Sequence, residues 1–117
     1  MNSFQLRAVG NLAETPKLET KGDTAFAKIK LIGNDYAGKG KEEITTTVYF
    51  VAFGKIAETI AENCLKGDQL FLEAQMRANN WPDEETGEMR YGYSNIVENF
   101  KFGAPGKLKR DELASRE

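Results

Sequence analysis

Thr45-Thr46-Thr47-Val48-Tyr49-Phe50-Val51-Ala52-Phe53-Gly54, running directly into Lys55 to Leu65, is the stretch that decides the fold. Before the final Gly every residue is β-branched, aromatic or Ala, which predicts a strand. Alternate residues of a strand point to opposite faces. Thr46, Val48, Phe50 and Ala52 share one face; Thr45, Thr47, Tyr49, Val51 and Phe53 share the other. Neither is polar enough for an ordinary solvated sheet face. One face can be core. The other, with Tyr49 and Phe53, needs a second partner. Ile56, Ile60 and Cys64, flanked by Ala57 and Ala61, then recur at helical spacing and predict a helix over Lys55 to Leu65, with Gly67 as its C′ residue.

Working outward, Ser3 to Leu12 reads as a first strand in which Gly10 marks a bulge or tight bend. Lys17 to Thr20 is at most a short extended edge. Thr24 to Asn34 is the second main strand. Ala25, Ala27, Ile29 and Leu31 lie on one face, Phe26, Lys28, Lys30 and Ile32 on the other. Asn34 to Glu43 reads as a polar loop containing Tyr36. Gln69 to Arg77, extended by Ala78 to Trp81, alternates again. Pro82 to Glu88 is a hairpin loop with Thr86-Gly87 at its turn, and Met89 to Phe102 is the return strand. Strand, strand, strand, helix, strand, strand matches an all-β chain with one helix, the five-stranded OB-fold barrel with the helix between strands 3 and 4. An α+β sheet with one packed helix is the alternative. The expected organisation is a barrel domain over 1–102 and a short charged tail over 103–117, the latter a short helix or a frayed end.

Composition narrows the chemistry. The 117 residues fit one domain. With one Cys and no His, a disulfide framework within one chain, most zinc sites and every Ser-His or Cys-His nucleophile are excluded. A cytoplasmic location follows from the same cysteine usage. No apolar run approaches the ~20 residues that span a bilayer, so no membrane partner is expected. No cofactor or metal is implied, and no catalytic constellation is present at a useful spacing, so the chain reads as a non-enzyme. The net charge of −2 argues against a uniformly basic nucleic-acid binder, although a local basic groove suffices for phosphates.

Val9-Gly10-Asn11-Leu12, Thr24 to Leu31, Val51-Ala52-Phe53-Gly54-Lys55-Ile56-Ala57-Glu58 and Leu65 to Glu73 resemble bacterial-type single-stranded DNA-binding proteins. So does Met76-Arg77 followed by Trp81, an acidic Gly-containing loop and Arg90-Tyr91. The resemblance runs in register from about Phe4 to Phe102. It implies an OB fold, a homotetramer built from dimers, and sequence-tolerant wrapping of single-stranded DNA in replication, recombination and repair. Phe53 and Trp81 match stacking positions of the family. Tyr49 stands where the family often has a polar or basic contact residue, and Tyr36 lies near another stacker. Phe26, Lys28, Lys30, Lys55, Arg77, Arg90 and Tyr91 complete the candidate DNA-binding set.

The alternatives are a core or interface ring for Phe53, an oligomer interface for Phe26, Tyr91 and Tyr93, and plain solvated surface for each cation and for the acids at 83–85. First-strand pairing between copies is the expected route to oligomers. Thr47 replaces a frequent large aromatic and Ala74 a frequent Gly. The acidic, Pro-Phe-tipped tail that recruits partners in cellular members is absent from the last residues. A short, tail-less member such as a phage or plasmid copy is the expectation. A primosome-type OB module for protein interaction, with nucleic acid secondary, is the competing function.

Overall fold

A computed structural model describes residues 3–36, 38, 40 and 42–116. In chain order the elements are β1 (Phe4–Leu12), β2 (Leu18–Lys21), β3 (Thr24–Tyr36), β4 (Glu43–Phe53), α1 (Gly54–Asn63), β5 (Gln69–Pro82), β6 (Met89–Phe102) and α2 (Lys107–Ser115). The sheet runs β1-β5-β6-β4-β3-β2, and an additional β1–β3 pairing closes five of these strands into a ring. All neighbours are antiparallel except β4 and β6, which meet in parallel at Val51 and Ile96. Counted within the ring, α1 falls between the third and fourth strands. This is the five-stranded OB barrel, and β2 is an edge ribbon on β3 outside it.

The ring closes at Gly10 to Leu12. There β1 leaves its long pairing with β5 and bonds β3 through Asn11 opposite Ile32 and Leu12 opposite Leu31. The strand bends without a bulge. A Cβ added to Gly10 would lie 2.8 Å from the Ile32 carbonyl oxygen, so only glycine lets the two backbones approach this closely. The register irregularity lies elsewhere: Glu73 and Ala74 face Asn99 and Val97, leaving Glu98 as the extra residue.

Inside the ring sit the faces predicted from alternation. Ala27, Ile29, Leu31, Phe50, Ala52, Leu70 and Leu72 are buried, joined by Ala57 and Ile60 of α1, which plugs one end. Most boundaries agree with the sequence expectation to within one residue, and the larger differences have physical causes. The helix ends at Asn63, with Cys64 extended at its C-cap, and Gly67 adopts φ +94° in the separate turn before β5 rather than acting as C′. β3 runs to Tyr36 and β4 starts at Glu43, because cross-strand pairing continues to Tyr36 opposite Glu43 and takes residues from the predicted loop. α2 is a formed helix, and the segment leading to it is tied down. Asp68, buried at the end of the α1–β5 turn, accepts hydrogen bonds from the backbone N–H of Leu65 and of Gly106.

Two hairpins project beyond the core. Residues 43–47 of β4 and 77–82 and 89–91 of the β5–β6 hairpin are exposed. The radius of gyration is 16.6 Å, against roughly 13 Å for a compact chain of this length. Arms of this kind carry side chains on both faces, and neither face is covered by the barrel's own core.

Candidate nucleic-acid interface

The outer face of β3–β4 follows from strand parity. Cross-strand register sets Phe26 opposite Phe53, Lys28 opposite Val51, Lys30 opposite Tyr49 and Ile32 opposite Thr47. Their neighbours along each strand are the buried Ala27, Ile29, Phe50 and Ala52, so this row points away from the core. Tyr49 is 65 % and Phe53 45 % exposed; Phe26 is half-buried beside Phe53. The Lys30 Nζ lies 5.7 Å from the centroid of the Tyr49 ring, within cation–π range. The Asn95 side-chain amide of β6 donates to the Tyr49 carbonyl and holds this part of β4 in place. Tyr49 and Phe53 are four residues apart on one strand, about 13 Å, so they offer separate platforms.

The parallel contact of Val51 with Ile96 carries this face across to the β5–β6 hairpin. There Gln75, Arg77, Asn79 and Trp81 of β5 share a side with Ile96, Ser94, Gly92 and Arg90 of β6. Trp81 is 46 % exposed. Arg77 donates to the Gln75 side chain and has no carboxylate partner among the described residues. Arg90 differs: its Nε donates to Asp83 Oδ2 at 2.9 Å. Asp83 also accepts from the backbone N–H of Glu85 and Thr86. These bonds, led by that from Glu85, hold its carboxyl below the usual carboxylate range. Asp83 therefore fixes the turn and occupies Arg90. It is not simply a solvated acid, which alternation and composition alone did not reveal.

Tyr91 and Tyr93 do not join Trp81. Their register partners are Asn80 and Ala78, on the ribbon's opposite side, the side that continues into the barrel interior through Met76. Both are about three-quarters exposed, as is Phe4, whose partner is Met76. The hairpin thus carries two separate aromatic faces. Lys55 is exposed in the first turn of α1, two residues after Phe53. Tyr36 ends β3, and its side chain lies outside the described residues. So the structure places Phe26, Lys28, Lys30, Tyr49, Phe53, Arg77, Trp81 and Arg90 on one continuous outer face, Lys55 at its edge and Tyr91 behind it.

Cys64 is buried at the end of α1. Desolvation, aided by the Asp68 charge, pushes its thiol up to about 11, so it is a protonated packing residue. No helix among the described residues is long and apolar enough to cross a membrane.

Comparison with known proteins agrees with this geometry. The model of the Single-strand binding protein family matches residues 1–103. The chain is 34 % identical over 96 residues to the single-stranded DNA-binding protein 1 of Xylella fastidiosa (strain 9a5c), covering 78 % of this chain and 68 % of that protein. It is 31 % identical over 96 residues to the single-stranded DNA-binding protein of Clostridium perfringens (strain 13 / Type A), covering 80 % of this chain and 61 % of that protein. With the closed five-stranded ring and its exposed aromatic and cationic face, these matches make the chain a member of the single-strand binding protein family.

Proposed function

We propose that the chain binds single-stranded DNA without sequence specificity, stacking bases on Phe53, Tyr49 and Trp81 and meeting phosphates with Lys28, Lys30 and Arg77. The observation that carries this is the outer face of β3–β4, where rings and amines stand uncovered directly behind a sealed core. Flat rings accept any base, because every base has a π-face, and each such stack contributes ~1–3 kcal/mol. Amines neutralise phosphates whatever the sequence. The names of the two relatives support the same ligand. Phe26 backs the Phe53 platform, Lys55 and Arg90 lie at its margins, and Tyr36 closes the far end of β3.

The barrel over 1–102 is the binding unit in this reading, and 103–117 an appendage packed against its base. The protein acts without catalysis, coating single strands in the cytoplasm during replication, recombination and repair. Copies associate as dimers and then a homotetramer. The support for association is β1: from Phe4 to Gly10 one edge pairs β5, and the other has no strand against it among the described residues. An open strand edge is a template for pairing with another chain.

The test is a titration of labelled oligo-dT with duplex and poly-U as competitors, read by Trp81 fluorescence. Tight binding to oligo-dT, weak binding to duplex and quenched emission are expected. Equal affinity for duplex, or no binding to either, would leave the primosome-type interaction module as the better description.

A further inference from the structure

Trp81 and Gly92 are diagonal neighbours across the β5–β6 arm: Trp81 faces Arg90, and Asn79 faces Gly92. Diagonal pairs on one face lie within reach of a long aromatic side chain. The six-membered end of the indole uses that reach. A Cβ added to Gly92 would stand 3.0 Å from Cζ3 and 3.2 Å from Cη2 of Trp81. The next atom, the Asn79 carbonyl oxygen, is at an ordinary 3.7 Å. The ring thus lies so close that a methyl at 92 would make it give by a few tenths of an ångström, and a larger side chain by more.

Nothing else about position 92 asks for glycine. It is not among the glycines with positive φ, so its backbone is one that every L residue adopts. Glycine weakens a strand interior, since it loses more freedom on folding and packs no side chain. Its presence inside the exposed arm needs a local reason, and the indole resting there is one. The indole nitrogen makes no hydrogen bond among the described residues, and the neighbouring Asn79 and Asn80 are exposed, so no core of the arm holds the ring.

We infer that Gly92 is a positioning residue for base stacking, the seat that holds the Trp81 ring in its binding orientation on the arm. The inference rests on the proposal that Trp81 stacks a base. Without the seat, an indole on an exposed two-stranded arm would sample several rotamers, and binding would then have to select one of them. A side chain at 92 disturbs the seat without altering the charge of the face, and because position 92 lies on the same side as Trp81, the Trp81→Ala background separates a lost seat from direct contact with nucleic acid.

The experiment is a double-mutant cycle on the full chain with a fluorescein-labelled oligo-dT, using Gly92→Val, Trp81→Ala and the pair. Thermal unfolding of each variant is recorded alongside. Trp81→Ala is expected to weaken binding by about tenfold or more, the value of a lost stack. Gly92→Val should weaken it by roughly the same factor while leaving the unfolding temperature unchanged or raised, because Val suits a strand better than Gly. The double variant should bind like Trp81→Ala alone. Trp81 is the only tryptophan, so the emission of free Gly92→Val reports its displaced ring directly. Wild-type affinity for Trp81→Ala would defeat the stacking proposal itself. With Trp81→Ala weakened, two results overturn the seat: wild-type affinity for Gly92→Val, or a Gly92→Val loss that persists undiminished in the Trp81→Ala background. If Gly92→Val unfolds, Gly92→Ala replaces it in the same cycle, with a smaller loss expected and the same outcomes deciding.

Discussion

Replacing Lys28 and Lys30 together by Gln tests the phosphate half of the mechanism, because the structure dictates how many charges are available. Five candidate cations lie on or beside the outer face. Arg90 is already engaged by Asp83 at 2.9 Å and is excluded from the count. Lys28, Lys30, Lys55 and Arg77 have no ion pair among the described residues. Single strands release counterions with a log–log salt slope of roughly −0.7 per neutralised phosphate, so four free cations give about −2.8 and the double variant about −1.4. Between 50 and 200 mM salt the wild type should then lose about 50-fold in affinity and the variant only about sevenfold. The assay is anisotropy of labelled oligo-dT at four or five salt concentrations. The stacking contribution is insensitive to salt, so the wild-type and variant lines should converge at high salt. An unchanged slope would show that the β3–β4 lysines do not meet phosphates, and a wild-type slope of about −3.5 would match Arg90 leaving Asp83 on binding.

Phe53→Ala should weaken oligo-dT binding by about 1–3 kcal/mol with a small effect on thermal stability, since the ring is 45 % exposed; equal affinity would remove Phe53 from the interface. Gly10→Ala places a methyl 2.8 Å from the Ile32 carbonyl oxygen and should destabilise the barrel by about 1–3 kcal/mol, the usual cost of overpacking, measured by urea unfolding. For Asp83, the folded pKa is depressed. Its contribution to the hairpin turn is therefore complete above the unfolded value and is lost as pH falls below about 4. Amide exchange at Glu85 and Gly87 should accelerate over that window in the wild type, and Asp83→Asn should abolish the acid-dependent step.

Much of this architecture was legible in local pattern. Alternation alone separated Ile29 and Phe50, which are buried, from Tyr49, Phe53, Lys28 and Lys30 on the other faces, because a one-residue slip would reverse every side chain. The helix after Phe53 was visible in the spacing of Ile56 and Ile60, although its end was not. Cys64 continued the apolar period but serves as an extended cap. Periodicity records what is buried, and a buried residue can donate the last helical hydrogen bond, as Cys64 does to the Ile60 carbonyl, while its own backbone is already extended.

What tertiary structure alone decided is how separate faces join. Strand parity told that Tyr91 and Arg90 differ in side, but only the register of β5 against β6 told which of them shares a face with Trp81. The parallel contact of Val51 and Ile96, residues distant in the chain, makes two strand faces into one surface. Asp83 was indistinguishable in sequence from its acidic neighbours until the turn placed it beside Arg90, and nothing in the local pattern set Gly92 against an indole. The sequence determined which side chains each strand can offer, because the two-residue period is a property of the backbone. Which offers are combined depends on pairings between remote strands, and those are fixed by closure of the whole ring.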